Sequence, residues 1–383
     1  MKIVMVTEFL TTKEKPYFGG VDARTINLAK QLAKNNDVHI ITSFNFKGER
    51  TENYDGIQIH RIGKKRPFTQ RGYFLERLKF NSIAISEVSK LHPDIVDGSG
   101  FISYSCCYKS AKKIGVPSTA TIHEVWQGQW IQNVGLINGF TGHFLEKHYL
   151  RYNFNGYISV SNFTKEKLIE QIRIPKEKIM VIYNGIDLNL FKKTHVNEKY
   201  KEPTVLTICR LVSYKRVEDL IKAINILKAD IPDIRLKIIG DGPQKEYLIN
   251  LAKNLQVIDR VEFLGKIKET QDMIKIMKKS HVFALPSIAE GFGMVVIEAL
   301  AAGVPYVSSD IPPIREITKG GIGGILCETK NYKDLTSKIK VLLVDESKRR
   351  NVMKNVSSHI EKFEWSNLAI ELEKYYKKLC NGV

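Results

Sequence analysis

The chain has 383 residues, 43% of them hydrophobic, and a formal net charge of +18. That length predicts two or more domains and the apolar share supports ordinary globular cores. The basic balance favours anionic partners, though for any single lysine a solvated surface position is the simpler reading. The five cysteines, Cys106, Cys107, Cys209, Cys327 and Cys380, are odd in number, and no pair has zinc-site spacing. Cys209 and Cys327 fall in apolar strand-like runs and are expected to be buried thiols, which fits a reducing compartment. No apolar run approaches the roughly 20 residues needed to cross a bilayer. The opening residues read as a strand rather than a signal peptide, so a cytoplasmic protein, soluble or peripheral on the cytoplasmic membrane face, is predicted.

Residues 2–6 (KIVMV) suit a buried parallel strand. A polar loop ending in Gly19-Gly20 precedes a helical pattern over 21–35 and a second strand at 38–42. Strand, glycine loop, helix, strand is the signature of a doubly wound α/β domain. The loop is not G-x-G-x-x-G, so a dinucleotide fingerprint is not supported. A strand at 57–62 follows. Residues 61–80 then carry Arg61, Lys64, Lys65, Arg66, Arg71, Arg77 and Lys79 against one acid, Glu76, with Phe68, Tyr73, Phe74, Leu75, Leu78 and Phe80 interleaved. This composition suits an anionic membrane surface and equally a solvated loop before a packed helix; nucleic acid is not expected.

The strand at 118–122 runs into His123-Glu124. A lone histidine is more often structural, but the carboxyl end of a strand is where open α/β sheets bind ligands. The aromatic stretch 126–152 lines a groove or simply packs. After strands at 157–160 and 179–183, the turn Asn184-Gly185-Ile186-Asp187 leads to a polar, basic stretch at 192–203, where the linker is expected. The series then repeats, with strands at 204–209, 235–239, 261–264, 281–285, 305–308 and 324–327. The expected division is 1–195 and 196–363, with an amphipathic helix at 364–383 packing back on the first domain. Two doubly wound, Rossmann-like α/β domains would face a central cleft.

The chemistry gathers in the second series. Arg210 and Lys215 follow a strand end, suited to clamping a diphosphate or to a solvated basic loop. Glu290-Gly291-Phe292-Gly293 opens an apolar helix carrying Glu298, so the amides of Gly293, Met294 and Val295 would meet an anion at a helix start. Glu298 would accept from ribose hydroxyls, or simply sit in the helix dipole. Glu290 would hold sugar hydroxyls; nothing in the sequence makes it a nucleophile. No D-x-D, H-E-x-x-H or P-loop occurs, so no metal or cofactor is expected.

Gly19-Gly20, His123, Asn184-Gly185-Ile186-Asp187, Arg210-Leu211-Val212 with Lys215, Gly240-Asp241-Gly242-Pro243 and the run from Glu290 to Glu298 together resemble retaining glycosyltransferases of family 4, with the GT-B architecture. The resemblance spans nearly the whole chain. It implies a nucleotide-sugar donor held by Gly20, Arg210, Lys215, Gly242, Glu290, Gly291, Phe292, Gly293, Met294, Val295 and Glu298. It implies a carbohydrate or lipid-linked acceptor near Gly19, Gly20, His123 and Trp126, and catalytic parts for His123, Glu290, Arg210 and Lys215. Arg216 departs from the pattern where glycine is common, and Glu124 where aspartate often follows the histidine. The rival readings are a sugar-nucleotide epimerase of related fold and an inactive protein docking on membranes or nucleic acid.

Overall fold

The computed structural model describes residues 1–10, 20–44, 49–65, 74–128, 130 and 135–382. They form two compact units, Met1–Gly185 with Trp365–Val383, and Ile186–Glu364.

The first unit contains β1 (Lys2–Thr7), β2 (Asp37–Ser43), β3 (Thr51–Tyr54), β4 (Ile57–Ile62), β5 (Ile95–Ser99), β6 (Ser118–Ile122), β7 (Gly156–Ser159) and β8 (Ile179–Val181). Their order in the sheet is β3-β4-β2-β1-β5-β6-β7-β8. All pairings are parallel except the hairpin β3–β4, which turns through Asp55 and Gly56 at positive φ. β1, β5 and β6 are buried almost end to end, as parallel strands covered on both faces must be. The terminal helix Trp365–Cys380 packs on the helix Gly20–Leu32, and Tyr375 donates to the Lys178 carbonyl at 3.2 Å.

The second unit contains β9 (Thr204–Ile208), β10 (Arg235–Ile239), β11 (Val261–Gly265), β12 (Val282–Leu285), β13 (Tyr306–Ser309) and β14 (Gly324–Cys327), an all-parallel sheet ordered β11-β10-β9-β12-β13-β14. The units divide at Gly185–Ile186, ahead of the stretch expected to be the linker. Ile186, Leu188 and Phe191 are apolar and buried, and Asp187 caps the helix Leu188–Lys193 by accepting from the Leu190 amide at 2.9 Å. Residues polar enough to read as a linker thus begin only after a helix that already belongs to the second unit.

Candidate active site

β9 and β12 are the neighbours at which the second sheet reverses its order, and open α/β sheets bind ligands outside the carboxyl ends of such strands. The chain leaving β9 enters the 3-10 turn Ser213–Lys215, and the chain leaving β12 carries Glu290. The Ile288 amide donates to the Tyr214 carbonyl at 2.9 Å and ties the two loops together. Lys215 Nζ and Glu290 Oε1 then meet at 2.6 Å, both largely buried. Burial opposes the lysine's charge, but the Glu290 carboxylate outweighs it and holds the ammonium above its usual range. Arg210 stands exposed beyond the end of β9. Arg216, the residue in place of glycine, has φ 54°, and its guanidinium grips Asp219 through two bonds of 2.9 Å. The left-handed backbone explains why glycine suits this position; the fork onto Asp219 lets arginine occupy it.

Gly293 has φ 91°, and a Cβ there would press into Ile314. It opens the helix Met294–Ala301, whose first amides, those of Met294 and Val295, have no carbonyl ahead of them in the helix. Gly291 is buried, and the Phe292 ring stands edge-on to Phe363 at 5.9 Å, so that ring is core packing. Burial alone pushes the Glu298 carboxyl up to about 7, and among the described residues its side chain has no partner. Gly242 contributes by close packing. The space for a Cβ there is filled by the Leu211 backbone, and Leu211 exchanges backbone bonds of 3.0 Å with Asp241 and Gln244.

In the first unit, Gly20 begins the helix Gly20–Leu32, while Gly19 lies outside the described residues. His123 follows β6, with Nε2 3.3 Å from Ser99 Oγ. Burial, reinforced by the Arg24 charge, drives its imidazole down to about 3, so it is neutral at any working pH. Arg24 is buried and donates to the Tyr183 carbonyl at 2.5 Å and to Asn184 Oδ1 at 3.1 Å. Asp97 beneath it accepts from Thr119 at 2.7 Å and from Thr121.

Trp126 belongs to a loop braced by Glu146, a residue that sequence reasoning missed. This buried carboxylate accepts from the Trp126 amide at 2.9 Å, from Gln127 Nε2 at 2.7 Å and from Trp130 Nε1 at 2.9 Å. The Trp126 and Trp130 rings lie 5.0 Å apart, and Glu124 accepts from the Trp126 indole. The available signal was a lone acid in an otherwise aromatic, basic helix.

The basic segment 61–80 is less available than its composition suggests. Arg61 is buried against Glu52 at 2.6 Å, Arg77 pairs with Glu8 at 2.8 Å, and Phe80 is buried. Lys64, Lys65 and Lys79 are exposed; Arg66, Phe68, Arg71 and Tyr73 lie outside the described residues. No helix among the described residues is long and apolar enough to cross a membrane.

Two doubly wound parallel sheets are the GT-B architecture, and the family matches make the chain a glycosyltransferase, an enzyme of the hexosyltransferase type. The model for glycosyl transferases group 1 matches residues 190–359, that for Glycosyltransferase Family 4 matches residues 18–190, and the chain belongs to this family. An uncharacterized glycosyltransferase of Methanocaldococcus jannaschii is 28% identical over 387 residues, covering 100% of this chain and 99% of its own. Sucrose-phosphate synthase from Thermosynechococcus elongatus shares the fold with a TM-score of 0.84 at 20% identity, covering 100% of both chains. Anabaena HepE, solved in complex with UDP-glucose, matches with a TM-score of 0.77 at 19% identity over 99% of this chain and 100% of its own.

Proposed function

We propose that the chain is a retaining, metal-independent glycosyltransferase that moves a hexose from a UDP- or GDP-sugar to a hydroxyl of a glycan, glycolipid or lipid-linked acceptor, acting in the cytoplasm at a membrane surface. The observation that carries this reading is the Lys215–Glu290 pair beside the Gly293 helix start. Lys215 and Arg210 take the donor diphosphate, with the amides of Met294 and Val295 behind it, so negative charge developing on the leaving group meets preset donors. Glu290, relieved of Lys215, accepts from sugar hydroxyls, and Glu298 accepts from the ribose. The anomeric carbon–phosphate oxygen bond breaks, and the acceptor oxygen bonds to that carbon from the same face. The acceptor's proton passes to the departing phosphate. A neutral His123 orients the sugar or supports its positive charge through ring or backbone; it does not serve as a cationic acid.

The absence of a D-x-D sequence supports a site in which the protein itself neutralises the diphosphate. Turnover should therefore survive chelation by EDTA. A thermal-shift series with UDP-, GDP- and ADP-sugars identifies the donor, since a ligand of the folded state raises apparent stability. Kinetics of Lys215→Ala and Glu290→Ala test the assignment: near-wild-type turnover in both, with donor still bound normally, would sink it.

A further inference from the structure

We propose that Ser99 is a positioning residue for sugar transfer, its hydroxyl fixing which nitrogen of the His123 ring carries the proton. The assignment rests on the part that His123 takes in the proposed reaction. Parallel strands covered on both faces are normally apolar. β5 and β6 break that rule on one face. Asp97 and Ser99 alternate on β5, Thr119 and Thr121 alternate on β6, and the strands pair Asp97 with Thr119 and Ser99 with Thr121. All four are buried. His123, two residues beyond Thr121, ends the row, with Nε2 3.3 Å from Ser99 Oγ. Polar groups buried in a core cost stability unless each is satisfied. This row runs to the carboxyl end of the sheet, where open α/β folds bind ligands.

The hydroxyl protons along the row have fixed destinations. Thr119 donates to Asp97 at 2.7 Å and Thr121 at 3.0 Å, so neither proton is left for Ser99. Thr25, on the helix Gly20–Leu32, donates to the Val21 carbonyl at 2.9 Å, so towards Ser99, at 3.5 Å, it can only accept. His123 Nε2 is the nearer acceptor. The one proton of Ser99 therefore goes to Nε2, and the ring, kept neutral by its burial, carries its own proton on Nδ1. Among the described residues Nδ1 has no partner, which leaves that N–H for an oxygen of the sugar or the acceptor. Without the Ser99 hydroxyl the ring would exchange tautomers, and part of the population would present a lone pair there instead.

The test is a long-range proton–nitrogen NMR spectrum of the full chain carrying isotope-labelled histidine, with the His123 signals assigned by their absence from His123→Gln. Wild type should show a single neutral tautomer protonated at Nδ1, and Thr25→Val should keep it. Ser99→Ala should give averaged nitrogen shifts, with kcat lower by roughly three- to tenfold and the donor KM near wild type. Ser99→Thr, which keeps the hydroxyl, should restore both. A wild-type ring protonated at Nε2, a Thr25→Val ring that changes tautomer, or a Ser99→Ala protein in which either the shifts or kcat stay as in wild type would overturn the proposal. Turnover of His123→Gln separates the two readings. Wild-type turnover there sinks the part given to His123, whereas lost turnover there beside wild-type turnover in Ser99→Ala sinks the role of Ser99 alone.

Discussion

Lys215 and Glu290 lie 75 residues apart in sequence and 2.6 Å apart in space, each on the loop that leaves one of the two strands flanking the switch point of the second sheet. The pair is a contact of topology. β9 and β12 are neighbours because the sheet reverses there, so the first residues beyond them converge. Both side chains are largely buried, and each is a partner of the other. On the proposed reading a donor phosphate shares the Lys215 ammonium with Glu290, which leaves more of the carboxylate free to accept from sugar hydroxyls.

Removing either member should therefore cost more than removing a solvated charge. Lys215→Ala is expected to weaken donor binding and to lower kcat/KM by on the order of 10²-fold, the scale of losing one preset donor to a developing negative charge. Glu290→Gln should lower kcat/KM for the sugar nucleotide while leaving the nucleoside diphosphate alone bound at least as tightly, since Lys215 loses its competitor. Steady-state kinetics with calorimetric titration of both ligands decide this. A double-mutant cycle should show strong coupling between the two positions.

Much of this site can be read in the sequence because its parts are local strings: a strand, then Arg210 to Lys215; a strand, then Glu290 to Gly293. What could not be read depends on burial. Arg24, Asp97 and Glu146 are charged residues inside the first unit, and their partners are Tyr183 and Asn184, Thr119 and Thr121, and Trp126, Gln127 and Trp130. Each contact forms only once distant strands or helices meet. Arg61 and Arg77 mislead for the same reason, since composition does not reveal Glu52 and Glu8 across from them. β3, with the sequence TENY, lacks an apolar pattern because it is an edge strand with neither face in the core, and Asp55-Gly56 was its only signal.

Glu298 should make both stability and donor affinity depend on pH. Its folded carboxyl titrates at about 7, against the usual 4.5, because burial disfavours the charge. A raised value means the folded state holds the proton more tightly. That stabilisation is whole below about 4.5 and is lost as pH rises through 7. Glu298→Gln has no such charge to form, so it should be more stable than wild type at pH 8 by roughly 1–3 kcal/mol and equal to it near pH 4. Thermal melts across that range read the difference. In wild type the ionised carboxylate is the better acceptor for ribose hydroxyls, so donor binding should strengthen from pH 6 to 8, and Glu298→Gln should flatten that slope.

On the proposed reading, the loop that Glu146 braces serves the acceptor and not the donor. Glu146→Gln replaces one carboxylate oxygen with a donor, facing either the Trp126 amide or the Trp130 and Gln127 donors. One of those N–H groups then lacks an acceptor, at a cost of about 1–3 kcal/mol. The loop should loosen, raising KM for the acceptor with donor KM unchanged. A parallel rise in both, or no change in either, would show that the loop plays no part in acceptor binding. Glu146→Asp should recover part of the loss, because it keeps both oxygens on a shorter stem.

Arg216 tests whether the backbone or the ion pair dominates at the turn after Lys215. At φ 54°, a non-glycine residue costs about 1–2 kcal/mol. The two bonds from its guanidinium to Asp219 offset this, and Asp219 is buried enough to need them. Arg216→Gly removes both effects and should change stability little, within about 1 kcal/mol. Arg216→Ala keeps the strained backbone and loses the fork, so it should destabilise by about 1–3 kcal/mol. Chemical denaturation of the two variants gives the comparison. Alanine less stable than glycine is the outcome the geometry requires, and the reverse order would mean that the turn relaxes out of the left-handed region once the arginine is gone.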